Sequence, residues 1–208
     1  RMQSAMPEAQ DLTAESEATH RMYGIDNAVT EDFGRQCLMA RRFLERGVRF
    51  VQVTHSDSEV QWDQHSNLYH GHTKNAAEVD KPIAGFLTDL KARGLLEDTL
   101  IVWGGEFGRT PMRENRGGKE MALAGRDHNP GAFSMWMAGA GVKPGSFGET
   151  DLVGYKSVKD KVSVQDLQAT ILNRLGFNHK QLVYPFNGLD QTLTGVIKPS
   201  RVVNELFL

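Results

Sequence analysis

The 208-residue sequence contains a single cysteine, Cys37. One cysteine excludes an internal disulfide framework and a cysteine-rich zinc site, and the apolar neighbours of Cys37 indicate a buried side chain. The 24 Lys and Arg residues nearly balance the 26 Asp and Glu residues, so the composition gives no support for nucleic-acid binding. No apolar run is long enough to span a membrane. The sequence also has neither a phosphate-binding P-loop nor a Gly-x-Ser-x-Gly nucleophile elbow.

Residues 99–111 are the stretch around which the other predictions are arranged. Leu100–Trp103 is a short, continuous apolar run, which is typical of a strand buried on both faces. The run ends at two glycines, and Glu106 follows at once. Ligands of open α/β sheets bind outside the carboxyl ends of the strands. Glu106 is therefore the first candidate for a functional residue.

A second candidate site follows another predicted strand, residues 48–53. Asp63 and His65 lie in the loop after that strand, and a carboxylate and an imidazole two residues apart can both turn toward one cation. The alternative is that both are ordinary hydrogen-bonding loop residues. A predicted helix over residues 74–93 would join the two strands in a parallel crossover. That crossover would bring the Asp63 and His65 loop to the same sheet edge as Glu106.

A third candidate is the dipeptide Asp127-His128, which precedes Pro130 and a further apolar segment. A loop that folds back over the sheet edge would bring His128 to Glu106. The alternative is that Asp127 and Asn129 only make side-chain turns before the proline. Both interpretations stay open at this point.

Two helices are predicted with defined ends. Apolar residues recur at helical spacing over 32–46, and Gly47 follows as a C-terminal capping glycine. Ser163 is typical of the N-cap of a helix that closes at Gly176. Residues 113–119 are polar and glycine-rich, and we predict a mobile surface loop there.

Six motifs together resemble a large bacterial family, domain of unknown function 1501 (DUF1501), which is grouped with the sulfatase and alkaline phosphatase superfamily. They are Trp62–His65, Gly105–Pro111, Gly125–His128, Phe133–Gly141, Val164–Leu172 and Phe186–Gly188. The resemblance implies an alkaline-phosphatase-like α/β fold, with a mainly parallel sheet flanked by helices. Residues 32–208 would be the C-terminal part of that single domain, and residues 1–31 a polar arm or helix. Because the first residue is Arg1 and not Met, we expect a longer parent protein, which the resemblance places in the periplasm or outside the cell.

The resemblance also implies roles for individual residues. Asp63, His65 and His128 would form one metal site of the superfamily. Glu106 falls where a second site has an Asp-His pair, and here that pair is Glu106-Phe107. The nucleophile of the superfamily comes from an N-terminal strand that this chain does not obviously contain.

The function implied is that of a metal-dependent hydrolase that cleaves an anionic ester of a small molecule or carbohydrate. Its cofactor would be divalent zinc, manganese or calcium, held by Asp63, His65, Glu106 and His128. Arg109 would pair with an anionic oxygen through its planar guanidinium group, unless it forms an ion pair with Glu106 or Asp127. Asp127 would orient His128. The alternative function is a catalytically silent scaffold or binding module with at most one structural metal.

Overall fold

The computed structural model describes residues 7–56, 61–120, 122–195 and 199–208. The chain divides into two compact units, Arg1–Thr99 with Arg109–His128 and Leu100–Gly108 with Asn129–Leu208. Helices account for most of the first unit, in which residues 7–10 are helical and Leu12–Ala14 form a 3₁₀ turn. Its longer helices are α1 (Glu17–Tyr23), α2 (Glu31–Glu45) and α3 (Leu68–Ala92).

Helix α1 packs closely against both α2 and α3 because glycines stand at the contacts. A Cβ atom on Gly34 of α2 would lie 2.3 Å from the carbonyl oxygen of Tyr23. A Cβ atom on Gly85 of α3 would lie 2.3 Å from the carbonyl oxygen of Met22. Only glycine allows backbones to approach so closely. The end of α1 therefore lies directly against the two longer helices.

The helical unit has an apolar core to which α2 contributes one face. Its buried members include Tyr23, Phe33, Cys37, Leu38, Val79 and Leu90. Helix α2 ends as its sequence predicts, since Gly47 has a left-handed φ of 79° and donates its N–H to the carbonyl of Leu44 at 2.9 Å. The predicted helix over residues 32–46 is confirmed.

We expect the thiol of Cys37 to be unreactive in the native protein. Cys37 is 4% exposed, and burial raises its pKa to about 12. At pH 8 only about one molecule in 10⁴ would then carry the reactive thiolate. Alkylation by iodoacetamide, followed by mass spectrometry, should be roughly 1000-fold slower than in urea-unfolded protein. Comparable rates in the two states would contradict the burial of this side chain.

The strands are short and lie in two-stranded pairs. They are β1 (Ile101–Trp103), β2 (Gly108–Arg109), β3 (Asn115–Arg116), β4 (Lys119–Glu120), β5 (His128–Asn129), β6 (Trp136–Ala138), β7 (Glu149–Thr150), β8 (Ser157–Lys159), β9 (Val183–Phe186) and β10 (Leu189–Thr192). The pairs β1–β6, β3–β4, β7–β8 and β9–β10 are antiparallel, and β2 pairs with β5.

Helix α4 (Val164–Arg174) lies in the second unit, where its side chains bind the C-terminal segment. Its N-terminus carries a capping box in which Ser163 and Asp166 each accept the other's backbone N–H, at 2.9 and 3.1 Å. Asp166 also accepts the backbone N–H of Arg201 at 2.8 Å. Thr170, which is fully buried, accepts the N–H of Val203 at 3.0 Å. The predicted N-cap is confirmed, and the helix binds the C-terminal segment through its polar side chains.

The predicted fold class is wrong. We expected a mainly parallel, alkaline-phosphatase-like sheet in which residues 100–103 form a strand buried on both faces. Strand β1 instead pairs antiparallel with β6 in the register Ile101 to Ala138, and all three of its residues are only partly buried. The aromatic rings of Trp103 and Trp136 stack across this pair with centroids 6.3 Å apart. This cross-strand contact favours a partner that lies 33 positions further along the chain.

The predicted strand over residues 48–53 is also wrong. These residues form no β-ladder with any other residue that the structure describes. An alternating apolar pattern stabilises a strand only when a neighbour supplies hydrogen-bond partners and side-chain contacts. The parallel crossover that we built on this strand is therefore absent from the described structure. Among the residues that the structure describes, no helix combines the length and the apolar character needed to cross a membrane.

Candidate metal centre

The loop that carries Asp63 and His65 is fixed by the residues on either side of Asp63. The indole Nε1 of Trp62 donates to Nδ1 of His55 at 3.1 Å, and Nε2 of that histidine lies 2.9 Å from Glu78 on α3. Gln64 turns inward and is 7% exposed. Trp62 and Gln64 therefore anchor the loop on either side of Asp63.

His128 reaches this loop on the segment 124–128, which backbone hydrogen bonds hold in place. Leu68 donates to the carbonyl of Ala124 at 2.9 Å, and Arg126 donates to that of Gln64 at 3.2 Å. Thr110 donates to the carbonyl of Asp127 at 2.8 Å from the other side. The segment thus lies between two others, and the last of its residues points its ring at Asp63.

The three side chains converge. The Oδ1 atom of Asp63 lies 2.9 Å from Nε2 of His128 and 3.2 Å from Nε2 of His65. The two ring nitrogens are 3.1 Å apart. In a tetrahedral zinc site with bonds of about 2.0–2.2 Å, neighbouring ligand atoms are about 3.3–3.6 Å apart. The observed separations lie a few tenths of an ångström below that range, so small shifts would suffice to hold a metal.

The chemistry of these donors also suits a divalent metal. Two imidazole nitrogens and one carboxylate oxygen are a ligand set typical of zinc and of similar transition metals. Burial alone would raise the pKa of Asp63, but hydrogen bonds from His128 and Arg109 outweigh it and hold the pKa below its usual value. Asp63 is therefore an anionic ligand at neutral pH.

Arg109 and Asp127 both belong to the same unit as the three ligands. Arg109 forms an ion pair with Asp63, with its side chain 19% exposed. We had considered Glu106 and Asp127 as partners of Arg109, and Asp63 was not among them. Asp127 accepts the backbone N–H of His128 at 2.7 Å, so it fixes the main chain from which the imidazole projects.

Glu114 is a member of the cluster that the sequence analysis missed. It is 8% exposed, and its Oε2 atom lies 2.7 Å from Nδ1 of His65. Its other oxygen accepts a hydrogen bond from Arg116 at 2.8 Å, which lowers the pKa of Glu114 more than burial raises it. A second group of possible ligands therefore consists of His65, Glu114 and Asp127. We had predicted a mobile loop here.

Glu106, our first candidate, lies in the second unit. It follows strand β1 and is exposed. Among the residues that the structure describes, neither group of possible metal ligands includes it. His70 and His72, which follow the loop of Asp63 and His65, lie in the first turns of α3.

Comparison with known protein families gives a match. The model of the family described as a protein of unknown function (DUF1501) matches residues 1–207. Neither a curated protein nor a solved structure matches the chain. The match extends over almost the whole chain and includes all the residues of the cluster. The chain belongs to the DUF1501 family.

Proposed function

We propose that the chain provides a divalent-metal site to a hydrolase that cleaves an anionic ester. The observation that carries this proposal is the convergence of Asp63, His65 and His128, whose ligand atoms all lie within 4.8 Å of one another. The motifs resemble a family that is grouped with sulfatases and alkaline phosphatases, which supports the choice of a phosphate or sulfate ester. The proposal rests on the ligand set and not on a shared sheet architecture.

Asp63, His65 and His128 would hold the metal, which would supply a Lewis acid that polarises an ester oxygen. Two features of the chain prepare these ligands. Trp62, anchored on His55, fixes the backbone before Asp63. Asp127 fixes the backbone of His128 through its 2.7 Å hydrogen bond. Side chains held in this way lose little freedom on binding, which favours a tight site.

Arg109 would bind the substrate. Its guanidinium group can donate two parallel hydrogen bonds to a phosphate or sulfate group. The ion pair with Asp63 places this cation at the edge of the ligand cluster. An anionic ester bound there would contact the positively charged guanidinium group of Arg109.

A silent binding module is the second candidate, and one observation favours it. The Oδ1 atom of Asp63 pairs with both Arg109 and His128, so the cluster is already hydrogen-bonded within the chain. Such a cluster is stable as a set of polar loop contacts. Metal content separates the hydrolase from a module whose cluster is only hydrogen-bonded, and turnover separates the hydrolase from a module that binds a metal.

The test is the metal content of the purified protein, measured by elemental mass spectrometry. We expect about one equivalent of bound zinc, manganese or calcium in the wild type. The double variant with His65→Ala and His128→Ala should lose it, since two of the three ligands are gone. His70→Ala is the matched control because His70 is exposed on α3 and belongs to neither group.

Turnover by the full-length protein is then measured with p-nitrophenyl phosphate and p-nitrophenyl sulfate. If the proposal is right, ester cleavage should depend on added metal. His128→Ala should abolish this cleavage, while its circular dichroism spectrum should match that of the wild type. Bound metal without cleavage of either ester would favour the silent module. No bound metal in the wild type, even after metal is added back, would contradict the proposal.

A further inference from the structure

We infer that Glu114 is a positioning residue, which fixes the ring of His65 so that its Nε2 atom is the one offered to the metal. This inference rests on the proposed metal site and assigns a role to a residue outside the three ligands. The carrying observation is the 2.7 Å contact between Nδ1 of His65 and Oε2 of Glu114.

The direction of this hydrogen bond follows from the partners of Glu114. An ionised carboxylate only accepts hydrogen bonds, and the Oε1 atom of Glu114 already accepts one from Nε of Arg116 at 2.8 Å. Nδ1 of His65 must therefore carry a proton and donate it to Oε2. That leaves Nε2 as the nitrogen with a lone pair for a metal. Nε2 is also the atom that faces Asp63 and His128, at 3.2 and 3.1 Å.

Glu114 can do this because its own backbone is fixed. Its N–H donates to the carbonyl of Gly125 at 2.9 Å, on the segment that leads to His128. The residues after it form the hairpin of β3 and β4, which turns at Gly117 and Gly118 with φ angles of 59° and 72°. Arg116 lies in β3, so the hairpin positions the guanidinium group that donates a hydrogen bond to the carboxylate of Glu114.

The competing interpretation makes Glu114 a ligand of a second metal, together with Asp127 and the Nδ1 atom of His65. Two observations disfavour it. Both oxygens of Glu114 already have partners, and one of these is the guanidinium of Arg116. A second divalent cation would meet that positive charge at close range. Carboxylates that accept the spare N–H of a ligand histidine are a common arrangement around metals.

The first test is ¹⁵N NMR of the His65 ring in metal-free and zinc-loaded wild-type protein. We expect Nδ1 to be protonated in both samples and Nε2 to carry the shift change when ZnCl₂ is added. Zinc on Nδ1 would overturn the inference without any substitution. Absence of zinc binding by the wild type would overturn this inference, and absence of zinc, manganese and calcium binding would overturn the proposed function as well.

The second test is zinc titration calorimetry of Glu114→Ala and Glu114→Gln. We expect Glu114→Ala to weaken zinc affinity by about 10–100-fold with unchanged stoichiometry. Glu114→Gln should lose less, because the amide oxygen still accepts the ring N–H. Glu97→Gln is the control, since Glu97 is exposed in the same unit and belongs to neither ligand group.

Two outcomes would overturn this inference and leave the proposed function standing. One is wild-type zinc affinity in a Glu114→Ala protein whose circular dichroism is native. The other is a stoichiometry that falls from two zinc ions to one in both Glu114 variants, which would make Glu114 a ligand of a second metal.

Discussion

Gly125→Ala is expected to destabilise the first unit and weaken zinc binding, because the new methyl group has no space. A Cβ atom on Gly125 would lie 1.7 Å from the carbonyl oxygen of His65 and 2.6 Å from the amide nitrogen of Ser66. Both are backbone atoms, which cannot rotate away as a side chain can. We expect a loss of about 1–3 kcal/mol or more in the free energy of unfolding, measured by urea titration.

The same substitution acts on the candidate metal centre because Gly125 lies where two of its segments meet. The neighbouring Arg126 donates its N–H to the carbonyl of Gln64, and the carbonyl of Gly125 accepts the N–H of Glu114. Moving segment 124–128 outward would carry His128 away from Asp63 and His65. We therefore expect zinc affinity to fall by about tenfold or more, as for other changes that displace ligands.

Gly105→Ala is the matched control for this prediction. Within the described structure no heavy atom lies within 4 Å of a Cβ built on Gly105, and its φ is not left-handed. The same chemical change should then have little effect on stability, within about 0.5 kcal/mol. Wild-type zinc affinity and stability in Gly125→Ala would contradict the close packing of the two segments.

The helices could be predicted from the sequence because their signals are local. The periodicity of residues 32–46 and the glycine after it fix the end of α2 to within a residue. The Ser163 cap and Asp166 fix the start of α4 in the same way. Periodicity and capping act over three or four residues, so one short stretch contains the information.

The pairs β1–β6 and β2–β5 could not be predicted, because each partner is chosen by contacts distant in the sequence. The run at residues 100–103 has the composition of a buried parallel strand, yet β1 pairs antiparallel with β6. Nothing within the run identifies Trp136 as the partner of Trp103. Residues 48–53 show the opposite case, in which a strand-like pattern forms no ladder within the described structure. Strand propensity depends on the neighbour more than on the run itself.

The candidate metal centre was predictable in part. Asp63, His65 and His128 were named from residue chemistry and motif resemblance, and the structure brings them together. Glu106 was placed beside them by a parallel sheet edge, and the residues that the structure describes form no such sheet. Glu114 was missed because its segment was interpreted as a mobile loop. The signal was present, since two glycines between short polar runs are typical of a tight hairpin turn.

Arg41→Met is expected to destabilise the helical unit by about 1.5–3 kcal/mol, since Glu15, Glu45 and Asp89 lose a buried cation and keep Arg42 or Arg93 as cationic partners. Arg41 lies on α2 with its side chain 2% exposed. Its guanidinium group contacts Glu15 at 2.8 Å, Glu45 at 2.7 Å and Asp89 at 3.0 Å. These carboxylates come from three separate segments, and Arg41 is the cation that contacts all three. Urea titration followed by circular dichroism would measure the loss.

Arg35→Met on the same helix is the control. Arg35 pairs with Glu31 at 3.0 Å, but the two side chains are 50% and 43% exposed. An exposed pair one helical turn apart contributes about 0.3–0.5 kcal/mol, so this variant should unfold almost as the wild type does. Equal losses in the two variants would show that burial of the Arg41 cluster is energetically unimportant.

The Arg41 cluster also predicts how stability changes in acid. Burial would raise the pKa of Glu15, but Arg41 and Arg42 outweigh burial and hold the pKa below its ordinary value of 4.5. A carboxyl group whose folded pKa is lowered stabilises the fold above its unfolded pKa and loses that contribution as the pH falls. The wild type should therefore lose stability as the pH drops below about 4.5. The Arg41→Met variant should lose less stability over the same pH interval, because the pKa of Glu15 in the variant lies closer to its value in the unfolded chain. A steeper loss of stability in acid in the variant would contradict the assignment.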